Sequence, residues 1–317
     1  MLIDAVVPGE LHQVDFARMI FVLEFREACS LDAAALLGFR SMMRPVARQV
    51  FADAGADGKR RYKTLFEPEF GHDPVALKKF QKPSPAFVLS LREGQSRVVH
   101  AGERLELDVL FVGSSTSLIG DFTACLILLG RFGLVGGYGK YEVVGLSALG
   151  QDDQAQGLWQ HGDEISRIAP PIDTLDLWLE RRLPVDLPVT LKFEMPTRLL
   201  VSGRPLRRPS FAALFPFMLR RVTSMLYAHA GCELVHDAAE LLRVAETVQV
   251  AESHFCWSDW RDLSGRRPIR AIGGFTGGMS LQGGDLGEIF WVIALASLFG
   301  LGKGAAYGAG RLRLAGW

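Results

Sequence analysis

Near the C terminus the chain reads FGLGKGAAYGAGRLRL, residues 299–314, where five glycines are interleaved with one lysine and followed by Arg311 and Arg313. One or two glycines supply the positive φ of a helix-to-strand turn. Five, with a cation among them, suit a backbone that comes close to a polyanion and donates amides to it. Gly302, Lys303, Gly304, Gly308, Gly310, Arg311 and Arg313 are therefore candidate anion contacts. The common nucleotide loops do not fit. Lys303 precedes Gly304 where a P-loop needs Ser or Thr, and the loop leads from a predicted helix into a strand, the reverse of a dinucleotide fingerprint.

Other cations fall in short clusters. SGRPLRRPSF carries Arg204, Arg207 and Arg208, MLRRVT carries Arg220 and Arg221, and SGRRPIR carries Arg266, Arg267 and Arg270. Any one of them, taken alone, reads as a solvated or ion-paired surface. Trp257 and Trp260, in FCWSDW, either stack a base or pack in a core. In the first half, Lys59, Arg60, Arg61 and Tyr62 can hold a phosphate but make poor general bases at neutral pH. His12 and His72 lie in the first half, and His229, His236 and His254 in the second.

Composition excludes several other chemistries. The formal net charge is zero, so a nucleic-acid partner must be argued from local clustering. Cys29, Cys125, Cys232 and Cys256 are far apart, with no C-x-x-C pair, which speaks against a zinc site and against a disulfide framework. No metal or cofactor is expected, and the cytoplasm is the expected compartment. The start, MLIDAVVPGELHQVDF, lacks the basic and apolar regions of a signal peptide. The longest apolar run, from Ile289, falls short of the roughly 20 residues a spanning helix needs, so no membrane segment is expected.

With 317 residues, 49% of them hydrophobic, the chain suits two domains of about 150 residues. An internal repeat divides it. GDFTACLILLGRFGLV from Gly120 overlies GEIFWVIALASLFGLG from Gly287 at one offset, matching Gly120 with Gly287, Leu128 with Leu295 and Phe132-Gly133-Leu134 with Phe299-Gly300-Leu301. YGKYEV then falls opposite YGAGRLRL after a short gap. LELDVLFVG and IGGFTGGMSLQG are the strands before these helices, and each half opens on a strand and a helix: FARMIFVLEF with LDAAALLGFRSMMRPVARQVF, and VTLKFEMPTRLLV with FAALFPFMLRRVTSMLYAHAG. Strand, helix, two strands, helix, strand is the split β-α-β order of a ferredoxin-like domain. The expected organisation is an α+β chain with antiparallel sheets: a domain at 1–150, a linker or long loop at 151–185, and a second domain at 186–317.

Two such halves, with Gly302-Lys303-Gly304 and Gly308-Ala309-Gly310 just before the last strand, resemble the RAMP superfamily of CRISPR-associated RNA-binding proteins. RYKTLFEP from Arg61, SPAFVLS, HAGERLELDVLFVG and SGRPLRRPSFAALFPFMLRRVT make the resemblance closest to CRISPR-associated protein family six, the repeat-RNA processing endoribonucleases. The resemblance implies binding of a CRISPR repeat and metal-independent cleavage of one phosphodiester. The ribose 2′-hydroxyl attacks the adjacent phosphorus, giving a cyclic phosphate and a free 5′-hydroxyl, with a base or acid, often His, and cations stabilising the phosphorane. It also implies CRISPR RNA, and further CRISPR-associated subunits, as partners, with the arginine clusters of the second half, as a set, gripping the repeat through its phosphates.

The chain departs from the family where many members carry a catalytic His, near the end of the first helix. VARQVFADAGADGKRRY places Phe51 there, and no His occurs between His12 and His72. Two function classes follow: an endoribonuclease using the Lys59, Arg60 and Tyr62 segment with His72 or His12, or a non-catalytic RAMP subunit that binds CRISPR RNA in an interference complex.

Overall fold

The computed structural model describes residues 2–3, 5–31, 33–70, 83–91, 97–134, 137–183, 185–235, 237–260, 272–283 and 285–315. His72, His236, Arg266, Arg267 and Arg270 lie outside the described residues. The first half runs β1 (Asp15–Phe25), α1 (Ala33–Ala52), α2 (Gly55–Phe66), β2 (Phe87–Leu91), β3 (Arg104–Val112), α3 (Ile119–Phe132) and β4 (Tyr141–Leu149). Its strands lie in the order β2-β3-β1-β4, each antiparallel to its neighbour. That is the ferredoxin-like arrangement, with one helix more than the repeat predicts. The Lys59 to Tyr62 segment follows the first helix as the middle of this extra helix, α2, whose Tyr62, Leu65 and Phe66 are buried.

The stretch 151–185, expected as a linker or long loop, carries elements of its own. Strand β5 (Ala155–Gln160) pairs with β4, Asp173 and Thr174 pair with the start of β1, and α4 (Leu175–Glu180) buries Leu175, Trp178 and Leu179. The second half then repeats the first: β6 (Val189–Thr197), α5 (Phe211–Ala230), α6 (Ala238–Thr247), β7 (Gln249–Trp260), β8 (Ile272–Gln282), α7 (Leu286–Phe299) and β9 (Leu312–Leu314). Its sheet order, β7-β8-β6-β9, is the same antiparallel topology. The chain is thus a tandem of ferredoxin-like domains.

Local sequence accounts for the helix limits. Ser210 caps α5 by accepting the Ala213 amide, and Asp237 caps α6 by accepting those of Ala239 and Glu240. Helices α3 and α7 are each 14 residues long and end alike, with the Gly133 amide donating to Leu129 and the Gly300 amide to Ala296. Gly113–Phe132, a 3-10 turn running into α3, is apolar and long enough by composition to cross a membrane. Ile119, Phe122, Leu126 and Leu129 bury it in the first core, as befits the central helix of a globular domain.

The two cores interlock because strands alternate their faces. In β2, Phe87 and Leu89 belong to the first core, while Val88 between them packs into the second. In β3, Leu105, Leu107, Val109 and Phe111 face the first core; Leu110 and Val112 face the second. Two residues of the C-terminal half, Ala306 and Tyr307, cross in the opposite direction and are buried in the first core.

Candidate nucleic-acid interface

The second glycine loop leaves α7 at Gly300 and folds back on its own backbone. Leu301 N–H donates to the Gly310 carbonyl at 2.9 Å, Tyr307 N–H to Gly304 at 2.8 Å, and Ala309 N–H to Gly304 at 3.3 Å. Lys303 and Gly310 donate to the carbonyls of Arg198 and Pro196, each at 3.2 Å. Glycine is required for this packing: a Cβ on Gly310 would lie 1.7 Å from the Leu301 oxygen, and one on Gly302 2.5 Å from the Arg198 oxygen. Gly304 and Gly308, with φ of +88° and +89°, turn the chain between them. The close approaches these glycines make in the structure are therefore to protein carbonyls, and several amides read as anion donors are bonded within the chain.

The loop also reaches the other domain. Leu89 N–H, on the edge strand β2, donates to the Ala306 carbonyl at 3.0 Å, and Leu89 and Tyr307 form a parallel bridge. The Tyr307 ring meets Phe87 edge to face, with centroids 5.5 Å apart. Behind the loop stands buried Arg221, whose Nε and Nη2 donate to the Phe299 carbonyl at 3.3 and 2.9 Å, and whose Nη1 donates to the Ser84 hydroxyl. His229 Nε2–H donates to the Ser84 carbonyl at 3.0 Å. Arg221 and His229 therefore tie α5 to the segment before β2 and to the start of the loop. Burial lowers the Arg221 pKa to about 10, which leaves it charged at neutral pH. Burial, then the Arg221 charge, lower His229 to about 4, which leaves it neutral.

Facing the docked loop is a stripe of arginines on α1. Arg40, Arg44 and Arg48 recur every four residues, so they share one helix face, which borders the face carrying buried Phe39, Met43, Val46 and Ala47. The Arg40 guanidinium lies 6.0 Å from the Tyr307 ring centroid and that of Arg48 5.7 Å from the Tyr62 ring. One carboxylate oxygen, Glu67 Oε1, gathers Arg44 Nη2, Arg48 Nη2 at 3.3 Å and the Tyr62 hydroxyl at 2.9 Å. Burial opposes ionisation of Glu67, but the Tyr62 bond and the two arginines outweigh it and hold its pKa below the usual value. Tyr62 is shifted up, by burial first and by Glu67 second.

Of the predicted catalytic residues, the fold brings Tyr62 to this cluster. Lys59 and Arg60 are exposed, Arg60 pairs with Asp57 at 2.6 Å, and Arg61 ties α2 to α3 through Asp121. His12 sits in a 3-10 turn with Nδ1 2.6 Å from the Gly9 carbonyl. No histidine among the described residues bonds to the Tyr62–Glu67 cluster.

The predicted RNA contacts are likewise divided. Lys303 is exposed and has no ion pair among the described residues, whereas Arg311 and Arg313 lie 3.4 and 3.6 Å from the carboxylate of Glu194. Arg204, Arg207, Arg208 and Arg220 are exposed; the Arg207 guanidinium lies 5.3 Å from the Trp257 ring centroid, and Trp257 itself packs against the second core. Arg311 and Arg313 also line an interdomain cavity of about 410 Å³, together with Arg18, Asp108, Asp153 and Arg182. The α1 arginines, Glu67 and Tyr307 are absent from the reading of the sequence. Spacing of i, i+4, i+8 on α1 was the available signal for the arginines.

A family model for the CRISPR-associated endoribonuclease Cas6 matches residues 191–312, and a second, AF_1859_N, N-terminal domain, matches residues 16–171. No curated protein matches the sequence significantly. Among solved structures, a Cas6 product complex aligns with TM-score 0.56 at 16% identity, over 94% of this chain and 98% of that one. Thermus thermophilus Cas6 aligns with TM-score 0.51 at 16% identity, over 95% and 98%. A partial Cas6-RT-Cas1–Cas2 complex aligns with TM-score 0.56 at 13% identity, over 98% of this chain and 47% of that one. The second domain thus matches the Cas6 family model, and the fold is similar to that of solved Cas6 structures along nearly the whole chain.

Proposed function

We propose that the protein binds CRISPR repeat RNA and cuts the precursor transcript at one phosphodiester, where the second glycine loop meets the α1 arginine stripe. The observation that carries this reading is that meeting itself: Tyr307 of the C-terminal half is buried against the N-terminal domain beside Arg40, in a Cas6-like chain. Arginines on a rigid helix stabilise the charge of a phosphorane without reorganising, and the RNA 2′-hydroxyl supplies the nucleophile. Attack breaks the bond from phosphorus to the 5′-oxygen, leaving a 2′,3′-cyclic phosphate and a free 5′-hydroxyl by a route that needs no metal. Tyr62 and ionised Glu67 stand at this place as the polar groups able to orient a hydroxyl. Lys59 and Arg60 add positive potential from α2, and His12 and His72 remain the imidazole candidates for proton transfer.

The grip on the rest of the repeat falls to exposed Lys303 and the exposed Arg204, Arg207, Arg208 and Arg220, with Arg266, Arg267 and Arg270 of the same half. Other CRISPR-associated proteins are the expected partners, as in the solved assembly of a similar fold with Cas1 and Cas2, and the cytoplasm is the expected compartment. The second reading, a subunit that binds CRISPR RNA without cutting it, is favoured by the absence of a described histidine at the Tyr62–Glu67 cluster. The test is single-turnover incubation of a 5′-labelled repeat RNA with the protein in EDTA. One product of fixed length, abolished by a 2′-deoxy residue at the cut, supports the enzyme; tight binding with no product supports the subunit.

A further inference from the structure

Two buried polar atoms where α1 meets the second glycine loop have no hydrogen-bond partner among the described residues: Arg44 Nε and the Tyr307 hydroxyl. Tyr307 is only 3% exposed, and buried donors are rarely left unpaired. They belong to one neighbourhood, since Arg40, one turn before Arg44 on α1, has its guanidinium 6.0 Å from the Tyr307 ring centroid. Arg40 has its guanidinium on the Tyr307 ring and no ion pair among the described residues. The groups assembled here are therefore donors: two guanidinium groups and a phenol. Such a set calls for an anion with several acceptor oxygens. The chain's own anion, Glu67, answers only part of it, by holding Arg44 Nη2 and Arg48 from the α2 side.

We propose that Arg40, Arg44 and Tyr307 form a phosphate-binding subsite shared between the two domains, and that Glu67 is an internal anion competing with the phosphate for Arg44. The subsite exists only while the glycine loop is docked, because Tyr307 comes from the second domain and the arginines from the first. A phosphodiester entering it gains the two orphaned donors and takes Arg44 from Glu67, so the aryl hydroxyl contributes a bond that the ring alone cannot. This rests on the repeat-RNA reading only for the source of the phosphate.

The probe is inorganic phosphate, followed by thermal melting of the whole protein against chloride at equal ionic strength, since a ligand of the folded state raises the melting temperature with its concentration. The parent is expected to be stabilised by phosphate. Tyr307→Phe keeps the ring and its packing but removes the hydroxyl, and should bind phosphate about tenfold more weakly. Glu67→Gln removes the competing charge and should bind it about fivefold more tightly. No stabilisation of the parent by phosphate, or equal stabilisation of the parent and Tyr307→Phe, overturns the subsite. A parallel titration with repeat RNA carrying a 2′-deoxy residue at the cut separates the sources. If Tyr307→Phe weakens both ligands, the RNA backbone occupies the subsite; if it weakens inorganic phosphate alone, the subsite stands and the RNA assignment fails.

Discussion

After two helices of identical length, α3 and α7, the halves of the molecule use their glycines differently. The first loop returns within its own domain, with the Leu134 amide donating to Gly139, and leaves Tyr138 72% exposed. The second is longer, bonds to Arg198 and Pro196 of its own domain, and carries Tyr307 into the core of the other. The same local recipe, an apolar helix closed by glycine, therefore gives a turn in one copy and an interdomain latch in the other. The difference lies in the extra residues before the last strand and in what the tyrosine meets.

Truncating the two tyrosines should break the symmetry most. Tyr307→Ala empties a packed site and should cost about 3–5 kcal/mol, while Tyr138→Ala should change stability by no more than about 0.5 kcal/mol; urea unfolding of both variants measures this. Alanine at the glycines comes next. Gly310→Ala drives a methyl into the Leu301 carbonyl and should cost about 3 kcal/mol, whereas Gly137→Ala, with open space around it but a φ of +100°, should cost only about 1–2 kcal/mol.

The latch should also be the acid-sensitive side of the molecule. His229 has a folded pKa lowered to about 4, against about 6.5 when unfolded. Its contribution is complete above the unfolded value and is lost as pH falls through the folded one. Stability should drop on the order of 2–3 kcal/mol between about pH 6.5 and 4, and His229→Gln should flatten that part of the profile. The smallest effect expected concerns the exposed lysines of the two loops. Lys303→Ala should reduce the salt slope of repeat-RNA binding by about one, and Lys140→Ala should leave it unchanged.

Much of this architecture is legible in the sequence because it is written locally. The constant offset between the helices survives as identical element bounds, and alternating apolar residues mark β1, β3 and β6. Strand β5 is not legible, since most of its residues are exposed and it is held by backbone bonds to β4. The site is legible only in part. Tyr62 stands out beside its cations, and the glycine loop by composition. That the glycines let the loop pack on itself and dock through Tyr307, and that Arg40 and Arg44 face it, depends on contacts between opposite halves of the chain. Arg221 shows the reverse error: it reads as one member of a surface pair with Arg220, yet helix geometry turns it into the interior, where it holds Phe299 and Ser84.

Docking of the second glycine loop is proposed to complete the cutting site. The most direct test of this is single-turnover cleavage of labelled repeat RNA in EDTA by the parent, Tyr138→Ala and Tyr307→Ala, at a temperature where circular dichroism shows all three folded. Tyr138→Ala should cut at the parental rate and Tyr307→Ala at least about a hundredfold more slowly. Equal rates for the two variants would contradict it.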